Sequence, residues 1–122
     1  MSIRGVRGAA IATEDCPRSI KGATKNLLMS IQEKNPSLKI EDIASILFTL
    51  SEDLKSAYPA EAARELGWRH VPMICAREIP VPGSLPRCIR VLLHWNTDLP
   101  QQEIQHVYHG QAEALRPDLK DV

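Results

Sequence analysis

The chain has few aromatic side chains: one Phe, two Tyr and two Trp in 122 residues. A ring-rich interior is excluded, so the core must rest on Ile, Leu, Val and Ala. Cysteine is scarce and odd in number, at positions 16, 75 and 88, and no CxxC pair occurs. Neither a disulfide framework nor a zinc-finger spacing is available, and reduced thiols in a cytoplasm are the simpler reading. An excess of one charge is also missing, because 15 basic and 15 acidic side chains cancel. That argues against a nucleic-acid binder and against a polybasic membrane binder. The longest apolar-rich run, Ile43 to Leu50, includes Ser45 and Thr49 and is far too short to span a bilayer. The opening MSIRGVRGAA lacks the apolar core of a signal peptide. There is no internal repeat and no low-complexity linker, and the length suits one domain over 1–122.

What is present is arginine, nine against six Lys. Lysine suffices for solvation, whereas the guanidinium fork suits bidentate recognition of carboxylate or phosphate. The excess is the first pointer to a ligand.

Residues 2 to 11 read as a strand in which Gly5 and Gly8 permit a close approach. Asp15 is the expected N-cap of a helix with Pro17 in its first turn. Ile20, Ala23, Leu27, Leu28 and Ile31 follow at helical spacing, and Asn35-Pro36 stops it. Ile43 to Leu50 reads as a buried strand, although periodicity alone leaves a helix open. Pro59 to Leu66 reads as a short helix ended by Gly67. Val71 to Ile79 is a further strand, and Pro80, Pro82, Gly83 and Pro86 force a loop after it. Cys88 to Trp95 is the strongest strand. Asp98 to Gln102 is a turn, Gln105 to His109 a short strand, and Ala112 to Leu119 a tail whose last residues, about 117–122, need not be ordered. The expected class is α+β: a mixed five-stranded sheet with one long helix and short helices on one face. One long helix cannot cover both faces, so the other face calls for a partner.

Single candidates mostly have plain explanations. Cys75 in a strand is most simply a small buried hydrophobe. His106 and His109, three apart in a strand, point to opposite faces and make a poor shared metal site. No catalytic-triad signature, Walker loop or GxGxxG occurs. Arg90 is sharper. It shares a strand face with Cys88 and Leu92, opposite Ile89, Val91 and Leu93, and an arginine on such a mixed face needs an anion. Glu78, Arg4, Arg7 and Tyr108 are each equally consistent with exposed or rim positions.

Together these segments have a pattern. IRGVRGA, YPAEAARELGW, VPMICAREI, CIRVLLHWNTD, QHVYHG and LRPDL stand in this order along nearly the whole chain. The sequence so resembles the small, monofunctional α/β class of chorismate mutase, distinct from the all-helical class. The resemblance implies a homotrimer whose three sheets form a pseudo α/β-barrel, with active sites in clefts between adjacent subunits. It implies Arg90, Glu78 and Arg7 as the catalytic group, with Tyr108 also contacting the dianionic substrate. Glu78 and Cys75 would lie near the ring hydroxyl. Tyr58, Ala60, Met73 and Ile74 would form an apolar wall, Arg64 and Arg116 would sit at the mouth, and Leu115 would close over it. The chain departs from the pattern at Glu61, where a Lys is expected, at Tyr58 in place of Phe, and at Met73-Ile74 in place of smaller or more polar residues.

Conversion of chorismate to prephenate breaks one C–O bond as one C–C bond forms, and no proton need move. The resemblance therefore implies no metal, no cofactor, no nucleic acid and no membrane. A substrate with two carboxylates gives the arginine excess a cause. Two other readings remain at this stage: a non-catalytic trimeric module binding a small anion in the same cleft, and a nucleic-acid adaptor, which the zero net charge opposes.

Overall fold

The computed structural model describes residues 2–115. Five strands, β1 (Ile3–Ile11), β2 (Ile43–Leu50), β3 (Met73–Arg77), β4 (Cys88–Asn96) and β5 (Val107–Tyr108), form one sheet in the order β3-β2-β4-β1-β5. Helices α1 (Pro17–Lys34) and α2 (Pro59–Glu65) lie between β1 and β2 and between β2 and β3 in sequence. β4 is antiparallel to both neighbours, while β2 with β3 and β1 with β5 are parallel pairs. The mixed sheet with helices is the expected α+β class.

Several boundaries differ from the sequence expectation. The N-cap of α1 is Cys16, not Asp15: its sulfur accepts from the Ser19 N–H at 3.4 Å. The Asp15 carboxylate instead accepts the Lys55 and Ser56 N–H groups at 2.9 and 3.1 Å, tying down the chain ahead of α2. Those bonds, the one from Lys55 foremost, hold its carboxyl below the usual range. β3 is shorter than Val71–Ile79 because Pro72 and Pro80 lack donors at its two ends. β5 shrinks to two residues because a side chain takes the backbone of Gln105. Asn35, buried at the end of α1, accepts from the Gln105 N–H and donates to the carbonyls of Gln105 and Ile31.

The alternation along β4 sets the two faces. Ile89, Val91, Leu93 and Trp95 are buried, and Arg90, Leu92, His94 and Asn96 are half-buried on the other side. The buried side joins Val6, Phe48 and Ile46 to Leu27, Leu28 and Ile31 of α1 and to Ala60 and Ala63 of α2. Both Trp and the single Phe are fully buried here, so the scarce aromatics are concentrated in the core. Among the described residues, the opposite face carries no helix along its middle and is covered at one end, where Ala112 and Leu115 of a 3-10 turn (Gly110–Leu115) pack with Ala9, Cys88 and Leu85. In the middle, the register row Arg7–Leu92–Leu47–Ile74 lies open, with Ile74 68% exposed.

Gly8 permits the close seat of α1 on β1. A Cβ there would stand 3.1 Å from the Ile31 and Leu27 methyls and from Val91. Gly8→Ala is therefore expected to lower stability by about 1–3 kcal/mol, the range for overpacked cores, read by denaturant unfolding. The two helices are joined at the surface by Glu65, which pairs with Lys25 at 2.6 Å and Lys21 at 2.9 Å. These lysines, Lys25 first, pull the Glu65 carboxyl down to about 2 from 4.5. A carboxylate whose folded value is depressed stabilises above its unfolded value and loses that contribution as pH falls through the folded one. The helix clamp is thus expected to weaken between about pH 4.5 and 2. A Glu65→Gln variant should show a shallower loss of melting temperature over that acid window than the parent.

Candidate active site

β1, β2, β4 and β5 bring four predicted residues together on the uncovered face. Arg7, Arg90 and Tyr108 line one small cavity of about 170 Å³, and Glu78, just beyond β3, completes it. Leu47, Thr49 and Leu92 supply the rest of its lining that faces the same way. Each side chain is placed by strand parity. Arg7 and Ala9 sit two apart on β1, Arg90 pairs with Ala9 on one side and Thr49 on the other, and Ala9 pairs with Tyr108 on β5. The Arg7 guanidinium stands 6.0 Å from the Tyr108 ring centroid, within cation–π reach. His106 fixes the same corner, because its Nδ1 accepts the Arg7 backbone N–H at 3.0 Å.

The polar balance of the cavity is incomplete. Arg90 Nε and the Tyr108 hydroxyl are both buried atoms, and neither has a hydrogen-bond partner among the described residues. Glu78 Oε2 lies 3.4 Å from Arg90 Nε, close enough for charge attraction but not aligned as a hydrogen bond. That oxygen instead accepts from Thr49 Oγ1 at 2.7 Å. Next to Arg90, burial pushes the Cys88 thiol up, against the opposing pull of the guanidinium. Cys88 is therefore held as a neutral thiol and adds no charge to the site. Two buried donors left without a partner among the described residues, both on side chains that line one cavity and one of them a permanent cation, suit an oxygen-rich anion.

Of the other predicted residues, none that the structure describes lines this cavity. Cys75 is on the opposite parity of β3 from Ile74 and Glu78 and packs against the core, so one subunit does not place Cys75 beside Glu78. It lines a second cavity, about 360 Å³, with Tyr58, Glu61, Lys55 and Arg77. Ala60 and Met73 turn toward the core, Ala60 being 6% exposed, whereas Ile74 projects from the open face. Arg64 shares a surface hollow with Glu61, Glu65 and Arg69. Leu115 packs near Tyr108 and Ala9. Arg116 and the tail at 117–122 lie outside the described residues. His106 and His109 take separate partners, with His109 Nε2 3.1 Å from Ser30 Oγ on α1. Burial lowers the His109 pKa, with Lys34 adding to the effect.

Sequence reasoning missed Thr49. A hydroxyl amid apolar neighbours in IASILFTL reads as an interruption of a buried run. Its alternation with Phe48 and Leu50 was the available signal that the strand has a second face.

The chain is similar to known proteins over nearly its whole length. The family model described as chorismate mutase type I matches residues 3–119. The chain is 53% identical over 118 residues to the chorismate mutase AroH of Thermus thermophilus, covering 97% of each protein. It is 45% identical over 120 residues to the chorismate mutase AroH of Bacillus subtilis, covering 98% of this chain and 94% of that one. A solved chorismate mutase from Clostridium thermocellum superposes with a TM-score of 0.87 at 44% identity, over 90% of this chain and 97% of the other. With the family model matching nearly the whole chain and two relatives at 53% and 45% identity over almost their full length, the chain belongs to the chorismate mutase type I family.

Proposed function

We propose that the chain is an isomerase that converts chorismate to prephenate in aromatic amino-acid biosynthesis, in a cleft shared by adjacent subunits of a cytoplasmic homotrimer. The observation that carries this reading is the pair of buried, unpartnered donors, Arg90 Nε and Tyr108 OH, in one cavity with Arg7 and Glu78.

The rearrangement is intramolecular. The enzyme must hold the enolpyruvyl arm over the ring and stabilise the negative charge that grows on the ether oxygen as the C–O bond lengthens. The first task is orientation, which can supply several kcal/mol of the barrier lowering, up to about 7–11 kcal/mol in well-oriented systems. The second needs a fixed donor aimed at that oxygen, and Arg90 is assigned to it. A guanidinium can grip a carboxylate and the ether oxygen with different arms of its fork, which a lysine ammonium does less specifically. Arg7 takes a carboxylate, with the Tyr108 hydroxyl as a second donor. Glu78 accepts the ring hydroxyl. No step requires a cofactor, metal or covalent intermediate.

Two features support a site completed by a second subunit. The cavity of about 170 Å³ opens on the uncovered face, beside one of about 400 Å³ that shares Glu78 and Arg90 with it. The register row Leu92–Leu47–Ile74 gives that face an apolar stripe, which a second copy would bury. Tyr58, Cys75 and Glu61, on the larger cavity, then form the facing wall, with Ala60, Met73 and Ile74 behind it and Arg64, Leu115 and Arg116 toward the mouth. Three free cysteines suit a reducing compartment.

Incubation of the purified protein with chorismate should yield prephenate, and no turnover would overturn the reading. Arg90→Ala is expected to lower kcat by about 10²–10³-fold, the loss typical of one preorganised donor. Binding of a stable dicarboxylate analogue should fall far less, and equal losses in the two measurements would demote Arg90 to a binding residue. Sedimentation equilibrium should return three times the 13.6 kDa subunit mass, whereas a monomer would remove the shared site.

A further inference from the structure

Arg90 and Glu78 are opposite charges separated by 3.4 Å, yet they do not form a hydrogen bond. An arginine and a carboxylate at that range ordinarily close into a short, bidentate fork. Here the carboxylate is held by other donors. Thr49 Oγ1 donates to Oε2 at 2.7 Å, and the Ile79 backbone N–H approaches Oε1 at 3.3 Å. Thr49 is also the direct cross-strand neighbour of Arg90, so its hydroxyl stands beside the guanidinium and competes with it for the same oxygen.

We infer that Thr49 is a positioning residue that holds the Glu78 carboxylate off Arg90 and so keeps the Arg90 Nε donor available to the substrate. This rests on the proposed role of Arg90 and deepens it. Without the hydroxyl, nothing holds Oε2 away, and Glu78 can swing the short distance onto the guanidinium. The existing ion pair at 3.4 Å would then close into a hydrogen bond that the substrate must break before Arg90 can act, and the more fully neutralised cation stabilises less charge in the transition state. Glu78 would also lose the orientation in which it accepts a ring hydroxyl. Valine matches threonine in shape and β-branching, so removing the hydroxyl leaves the strand otherwise intact.

The test is a double-mutant cycle. Thr49→Val is expected to lower kcat about tenfold, the effect of losing one hydrogen bond to a charged group, while Thr49→Ser recovers most of the activity. In a Glu78→Gln background there is no carboxylate to swing, so adding Thr49→Val should change kcat by less than about twofold beyond Glu78→Gln alone. An equal loss in both backgrounds, or no loss in the first, overturns the inference. A melting curve checks each variant, and Thr49→Ala replaces Thr49→Val in the cycle should the latter fail to fold. A crystal structure of the Thr49 variant separates this idea from the parent reading. A Glu78–Arg90 separation shortened into a hydrogen bond supports it even were chorismate not turned over, and an unchanged separation overturns it even were the parent fully active.

Discussion

The site depends on one constraint: the register of β4 between its two antiparallel neighbours. Nine consecutive pairings with β1 fix which side of the sheet each β4 residue faces. A slip of one residue would send Arg90 into the core and Ile89 to the open face. The buried set of Ile89, Val91, Leu93 and Trp95 makes such a slip prohibitive, because it would bury a guanidinium and expose several large apolar side chains. Core packing on one face thus locks the chemistry on the other. Gly8 contributes from β1, since it lets α1 sit close enough for Leu27 and Ile31 to cover Val91.

The same logic reaches the sheet edge. β5 has only two residues, too few to hold a tyrosine in place by ladder bonds alone. Buried Asn35 supplies the missing restraint by gripping both backbone groups of Gln105, and His106 adds a bond to the Arg7 backbone. Tyr108 is therefore positioned by the end of α1 as much as by the sheet. The residue that stops the helix also aims a site hydroxyl.

Much of this was legible in the sequence where the signal was local. CIRVLLHW carried both its strand parity and the half-buried Arg90 opposite the core, and PAEAARELG carried a helix with its stop, seen in Gly67 at φ +94. The boundaries that shifted did so through tertiary bonds. Asp15 was a reasonable cap by type, but the backbone of Lys55 and Ser56 drew its carboxylate away, and a cysteine took the cap position. Cys75 and Glu78 were expected near one ring hydroxyl through the family resemblance alone. Strand parity places them on opposite faces, and the sheet face that each uses is set by which one the helices cover. Thr49 was illegible for a related reason, since its importance lies in the Glu78 oxygen it holds, across 29 positions of sequence.

Charge gives the last link between the fold and a dianionic substrate. The small cavity holds Arg7 and Arg90 against Glu78 alone, a surplus of one positive charge. The larger cavity holds Lys55 and Arg77 against Glu61, again a surplus of one. When a cleft is assembled from one of each, the two surpluses equal the charge of a dicarboxylate. Glu61 therefore does not reverse the attraction, although it reduces it. Within the small cavity the surplus is useful only while Glu78 is kept from closing on Arg90, because a formed ion pair would screen the cation that the growing negative charge must meet. A neutral chain can in this way attract an anion strongly at one place. Its total charge is zero, but strand parity places Arg7 and Arg90 on one face, in a cavity whose lining has Glu78 as its single carboxylate.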